Sequence, residues 1–269
     1  MNLICLLKFI FLGAIQGFTE PIPISSSGHL LIIKKLFNLN MNDINFEIIV
    51  NFGSFLAIVF LYRKEILAII HDFFLYIKTK NDSYRENYNY AWLIAIGTIP
   101  AGIIGLIFKE KIDIISNNIK LVGIALLITA ISLYLIKDIT GKKDKKDLNI
   151  KDALFIGFFQ SIALLPGISR SGSTIVGASI KKLNRNTAVN YSFMLYIPIC
   201  IATIILGIND LINSSNFKAY LAPYLISMII SMIITYYSSK WFINIIKKGK
   251  LIYFSIYCLI VGILTILFI

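Results

Sequence analysis

The stretch Gln16-Gly17-Phe18-Thr19-Glu20-Pro21-Ile22-Pro23-Ile24-Ser25-Ser26-Ser27-Gly28-His29 interrupts an apolar segment that runs from Leu3 to Phe37. Two prolines, a glutamate and three consecutive serines do not continue a membrane-crossing helix. A second apolar segment, Ala153 to Ile180, breaks in the same way at Pro166-Gly167-Ile168-Ser169-Arg170-Ser171-Gly172-Ser173-Thr174. Sliding the chain by 144 positions pairs Phe11 with Phe155, Gly13 with Gly157, Gln16 with Gln160, Ser25 with Ser169, Ser27 with Ser171 and Gly28 with Gly172, without a gap. A weaker match continues after one inserted residue, with Phe46 facing Tyr191 and Ala57 facing Ala202. The pattern reads as an internal duplication over residues of about 1–137 and 150–269. Each broken segment is expected to be a re-entrant helix pair. Loop backbone at membrane depth must be packed in protein or line a polar cavity, so the two breaks are the default place for a site.

The rest of the chain supplies the spans. Of its 269 residues 57% are hydrophobic and 15% charged, and the mean hydropathy is +0.79. Soluble domains are about 45–50% apolar and about 25% charged, so this composition excludes one, together with disorder and a disulfide scaffold. Crossing the hydrocarbon takes about 20 apolar residues, and stretches approaching that length begin near Phe46, Ala91, Leu121, Ala188, Tyr220 and Leu251. The expected fold is an all-α polytopic membrane protein, a single integral domain over 1–269. It has about six transmembrane helices and two re-entrant pairs. Cys5, Cys200 and Cys258 each lie in an apolar run and read as small buried hydrophobes. No small-residue cleavage site follows Leu3–Thr19, so no cleavable signal is expected.

The net charge of +12 does not indicate nucleic acid, because the basic residues gather between apolar runs. Arg63, Lys64, Lys78, Lys80 and Arg85, the lysines after Lys137, and Lys240 to Lys250 mark three cytoplasmic loops. Counting back places the N-terminus outside, the first re-entrant pair on the outer face and the second on the cytoplasmic face: an inverted-topology repeat. Lys8, Lys34 and Lys35 stand against this assignment. Trp92 and Trp241 read as interfacial anchors, and His71 as an interfacial histidine.

At the first break Gln16 and Glu20 share a helix face, close to three hydroxyls and His29. At the second, Arg170 lies among serines at the start of a helix. A guanidinium at membrane depth is costly and normally paired, and its planar fork suits a phosphate. Ser27, Ser169, Ser171, Gly172 and Thr174 are candidates for adding donors at helix N-termini. Lone intramembrane hydroxyls are mostly packing groups, Glu20 and Arg170 could be an ion pair joining the repeats, and His29 a satisfied buried histidine. Pooled in one cavity, the same residues suit phosphoryl-group hydrolysis. Arg170 would neutralise the phosphoryl group, a hydroxyl or water would attack, and His29 would handle a proton. A lipid with a phosphate or pyrophosphate head can reach such a site while its tail stays in the bilayer.

Gln16-x-x-x-Glu20 with Pro23-Ile24-Ser25-Ser26-Ser27-Gly28-His29, and the later Pro166-Gly167-Ile168-Ser169-Arg170-Ser171-Gly172, resemble the BacA-type undecaprenyl-diphosphate phosphatases, the bacitracin-resistance family. Phe46-Glu47 with Gly53-Ser54, Ile99-Pro100-Ala101 with Gly105-Leu106, and Gly157-x-x-Gln160 extend the likeness over the whole chain. The resemblance implies a multi-pass enzyme of the bacterial plasma membrane, its active site opening outward. Such an enzyme hydrolyses undecaprenyl diphosphate to the monophosphate, recycling the carrier for cell-wall synthesis and conferring bacitracin resistance. It also implies Glu20 as an essential carboxylate, Ser26 as nucleophile, His29 as proton-transfer residue and Arg170 as phosphate-binding residue. A divalent cation, Mg²⁺ or Ca²⁺, is implied on Glu20 and Gln16. Gln16 stands where the family has Glu or Gln, and Ser27 where Thr is frequent, which leaves two adjacent hydroxyls for the attack. Direct attack by water stays open, and so does a homodimer. The rival reading is a secondary transporter or flippase of an anionic lipid or solute, since inverted repeats with broken helices are also a transporter signature.

Overall fold

Helices stop where their backbone donors find a better partner or where proline removes one, and both devices act at the two breaks. The structure, a computed structural model, describes residues 3–37, 44–116, 118–213, 217 and 220–269. Helix α1 (Leu3–Thr19) ends before Pro21, and α2 (Ser26–Leu36) begins after Ser25, whose hydroxyl accepts the Gly28 N–H. Helix α6 (Ile150–Ile162) ends before Pro166, and α7 (Arg170–Ile180) begins after Ser169, whose hydroxyl accepts the Gly172 N–H. The two caps are 144 residues apart and use the same atoms. In each, the capping hydroxyl also lies near the serine two residues on, 3.5 Å from Ser27 and 3.3 Å from Ser171.

Between the pairs run α3 (Ile44–Thr79), α4 (Arg85–Ser116) and α5 (Ile119–Ile136), and after them α8 (Arg185–Asn213), α9 (Leu221–Lys247) and α10 (Ile252–Phe268). Five of these six are long and apolar enough to cross a membrane, and α10, with 17 residues, is just shorter. Three spans separate a pair that enters and leaves on one side from the next such pair. The second pair therefore starts from the opposite side, which is the inverted arrangement. Among the described residues there is no β-strand, only a bridge between Lys143 and Leu183. Side chains such as Leu106, Ile107, Leu135 and Leu267 are more than 60% exposed. Their apolar surface is left for lipid, not water.

Inside, the spans are held by hydroxyls and close backbone approach. Ser231 donates to the Val50 carbonyl at 2.8 Å, Thr235 donates to Ser54 at 2.9 Å, and Ser238 donates to the Gly17 carbonyl at 2.9 Å, tying α1, α3 and α9 together. Small residues with interhelical hydroxyl bonds replace the missing hydrophobic drive between helices in lipid. A methyl on Gly17 would lie 2.9 Å from the Ser231 Cα. At the far end of the first pair, Lys34 is buried and pairs with Glu47 at 2.5 Å. It is thus a neutralised residue and not a free charge of the kind that orients a loop. The basic linker after α5 is pinned too: Lys143 donates from its backbone to the Lys182 carbonyl, and its ammonium meets the buried Asp152 at 2.9 Å.

Gly17→Val forces α1 off α9 and is expected to cost about 1–3 kcal/mol by overpacking. A thermal melt of the detergent-solubilised variant beside wild type checks this.

Candidate active site

Helices α2 and α7 bring their N-termini together across the repeat boundary. The Gly167 N–H donates to the Ser25 hydroxyl at 3.1 Å, so one hydroxyl caps its own helix and holds the other break. A Cβ on Gly28 would lie 3.1 Å from the Gly167 Cα, and one on Gly172 would lie 3.3 Å from the Pro23 Cβ. Residues 23 and 167, like 28 and 172, are counterparts in the duplication, so the two breaks pack about a local two-fold axis. Neighbouring spans secure the same carbonyl on each side: Thr129 donates to Gly167 at 3.1 Å, and the Cys258 thiol lies 3.8 Å from Pro23 O. Gly167 has φ +96°, a conformation that glycine adopts without steric cost.

The first helical residues, Ser26 and Arg170, are also counterparts, and both are bound to Glu20. Ser26 Oγ donates to Glu20 Oε2 at 2.5 Å, and Arg170 Nη2 donates to Glu20 Oε1 at 3.1 Å. Gln16 Nε2 donates to Glu20 Oε2 at 3.0 Å. The side chains of Arg170 and Glu20 are 14% and 10% exposed. A second guanidinium nitrogen donates to the Ser192 carbonyl at 3.3 Å, and the guanidinium lies 4.0 Å over the Tyr196 ring. The remaining N–H groups of its fork are available to an anion, and the positive ends of two half-helices converge beside it.

Other candidates are committed elsewhere. His29 is buried, with Nδ1 2.8 Å from the Ser25 carbonyl and Nε2 2.8 Å from the Tyr257 hydroxyl, so Ser26 is paired with Glu20 instead of the expected histidine. Ser169 caps Gly172, Ser171 meets Ser169, and Thr174 donates to the Arg170 carbonyl and meets Ser192 Oγ at 2.6 Å. Ser27 meets Ser25. These groups build the turns that present Ser26 and Arg170. Of the donors expected to hold phosphate, the structure places Arg170 on the cluster. Sequence reasoning passed over Tyr196, Ser192 and Tyr257. Tyr196 was findable as a polar side chain two residues before Pro198, whereas Ser192 and Tyr257 carry no such signal. His71 is exposed and bound to Asp72, and Trp92 and Trp241 are half-exposed on the lipid-facing surface.

Around Glu20 the carboxylate and the Ser26 hydroxyl are hard oxygens of the kind Mg²⁺ or Ca²⁺ takes, and the Gln16 amide beside them meets the carboxylate through its nitrogen. Sites for Mg²⁺ commonly use one or two carboxylates and are completed by substrate phosphates. No group of three His, Cys, Asp or Glu occurs among the described residues, so a protein-only cage is not what this site offers. The equivalent position in the second repeat is unlike the first. Residue 164 is Leu where the first repeat has Glu20, and the buried Gln160 amide has no hydrogen-bond partner among the described residues.

The profile of the family described as bacitracin resistance protein BacA matches residues 9–264. The chain belongs to the BacA family. Undecaprenyl-diphosphatase 1 of Bacillus cereus is 44% identical over 262 residues, 97% of each chain. Undecaprenyl-diphosphatase 1 of Bacillus licheniformis is 41% identical over the full length of both, and the undecaprenyl-diphosphatase of Oceanobacillus iheyensis is 38% identical over 269 residues, 99% of this chain and 98% of its own. In this member of the BacA family Gln16, Glu20 and Ser26 of the first repeat meet Arg170 of the second.

Removing one partner of a fully buried ion pair strands the other charge, at about 3–5 kcal/mol. Glu20 and Arg170 keep some exposure, so Glu20→Ala and Arg170→Ala are each expected to destabilise by less than that, and the double variant to lose less than their sum. A double-mutant cycle on thermal unfolding measures the coupling.

Proposed function

We propose that this chain hydrolyses undecaprenyl diphosphate to undecaprenyl phosphate and inorganic phosphate, with Ser26 as nucleophile. The observation that carries the reading is the Ser26–Glu20–Arg170 arrangement. One carboxylate accepts the serine proton at 2.5 Å and holds the phosphate-binding guanidinium at 3.1 Å. It also selects between the adjacent hydroxyls, since Ser27 faces Ser25.

In the first step Ser26 Oγ bonds to the terminal phosphorus, the bridging P–O bond breaks, and the hydroxyl proton passes to Glu20. The lipid monophosphate leaves as an anion while Arg170 and the two helix N-termini stabilise charge on the phosphoryl oxygens. Water then opens the phosphoserine, inorganic phosphate departs, and Glu20 returns its proton to Ser26. His29, one turn along α2, has its ring fixed at both nitrogens. Its Nδ1 faces a carbonyl, which can only accept, so Nδ1 carries the hydrogen, and the Nε2 lone pair accepts from the Tyr257 hydroxyl. Glu20, with the Gln16 amide turned to present its oxygen, would hold a divalent cation, Mg²⁺ or Ca²⁺, which supplies neutralisation of phosphate charge when bound. The site serves lipid-carrier recycling at the bacterial plasma membrane and opens outward, a placement supported by the basic residues gathered at the helix ends and turns between α3 and α4, between α5 and α6 and between α9 and α10.

Phosphate release from undecaprenyl diphosphate by purified protein is expected to need Mg²⁺ or Ca²⁺, to be abolished by EDTA, and to fall by about 10³-fold or more in Ser26→Ala and Arg170→Ala. A well-folded wild type with no release under either metal overturns the enzyme reading and favours transport. Rapid quench is expected to trap phosphoserine at Ser26. Solvent oxygen entering phosphate with no trapped intermediate points to direct attack by water.

A further inference from the structure

Ser25 directly precedes the nucleophile and has φ 68° and ψ 93°, a left-handed conformation disfavoured for a residue with a side chain. Holding it costs about 1–3 kcal/mol unless the surroundings fix it. Its carbonyl is fixed twice, by the backbone N–H of His29 at 3.1 Å and by the imidazole Nδ1 at 2.8 Å. The turn that presents Ser26 therefore depends on the orientation of the His29 ring. That ring has one further polar partner, on a span of the other repeat: the Tyr257 hydroxyl of α10, 2.8 Å from Nε2. The two rings are nearly parallel, 10° apart with centroids at 5.5 Å. With Nδ1 carrying the hydrogen, Nε2 of the neutral ring is an acceptor and Tyr257 must be the donor.

We propose that Tyr257 is a positioning residue for the reaction. Its hydroxyl pins His29 in one rotamer and one tautomer, so that Nδ1–H holds the strained Ser25 carbonyl at the turn that presents Ser26. The proposal rests on the phosphatase reading above. The brace runs from α10 through the imidazole to the residue before Ser26, with no contact between Tyr257 and the reacting atoms required. A phenylalanine fills the same space and cannot donate this bond.

The chain has two histidines, so ¹⁵N-histidine labelling reads this directly, with His71→Gln assigning the signals. In wild type, His29 is expected to show a protonated Nδ1 and an unprotonated, hydrogen-bonded Nε2. In Tyr257→Phe the Nε2 signal is expected to move toward that of an unbonded nitrogen, or to average with Nδ1 as the ring exchanges tautomers. The same variant is expected to lose about tenfold in kcat, the scale seen when an outer partner of a functional histidine is removed. KM should be nearly unchanged, because substrate contacts are intact. An unshifted Nε2 signal, a wild type with hydrogen on Nε2, or a kcat within twofold of wild type overturns the proposal. A wild type that releases no phosphate overturns the phosphatase reading instead, and the ¹⁵N spectra still decide whether Tyr257 fixes the ring.

Discussion

A peptide group without a partner is intolerable in hydrocarbon, and this molecule has two chain breaks at membrane depth that must be satisfied from within. The Ser25 hydroxyl does so for both, accepting from Gly28 in its own helix and from Gly167 in the other repeat. Much of the architecture follows from that bond. The half-helices must meet tip to tip, which requires glycine at the tips and spans on either flank, α5 and α10, to hold the outer carbonyls. Two helix N-termini are then focused on one point, a positive environment made from backbone alone.

Duplicated halves usually suggest duplicated function, yet here equivalent positions carry different chemistry. Ser26 and Arg170 each begin a half-helix after a capping serine. One supplies a hydroxyl, the other a guanidinium, and the carboxylate that joins them comes from the first repeat. The scaffold is symmetric where it must satisfy backbone and asymmetric where it must do chemistry. This separation answers the transporter reading in physical terms: symmetric broken helices suffice to bind an anion, whereas a short serine–carboxylate bond beside the arginine is what a cleavage reaction needs.

Much of this was legible in the residues. The 144-residue offset located both breaks and, through Ser25 and Ser169, the caps themselves, because backbone satisfaction is a local demand that leaves a local signature. The membership of Glu20, Ser26, Arg170 and Gln16 in one cluster was also legible, since charge at membrane depth needs a partner. The wiring was less so. The family resemblance implied His29 as the proton-transfer residue for Ser26, but the break lets the chain fold back so that Glu20, six residues earlier, meets the serine. Ser169, Ser171 and Thr174 looked like phosphate donors and are bonded into the turn. Tyr257 could not be anticipated, for nothing along a charge-free helix marks which hydroxyl faces inward until the packing of α10 on α5 and α2 is known.

The leucine at position 164 has a wider meaning. The second repeat keeps the capping serine and the glutamine of the first, yet where the first has a carboxylate it has an apolar side chain. The duplicated frame therefore carries its acid once, and a substitution at Glu20 has no stand-in from the other half.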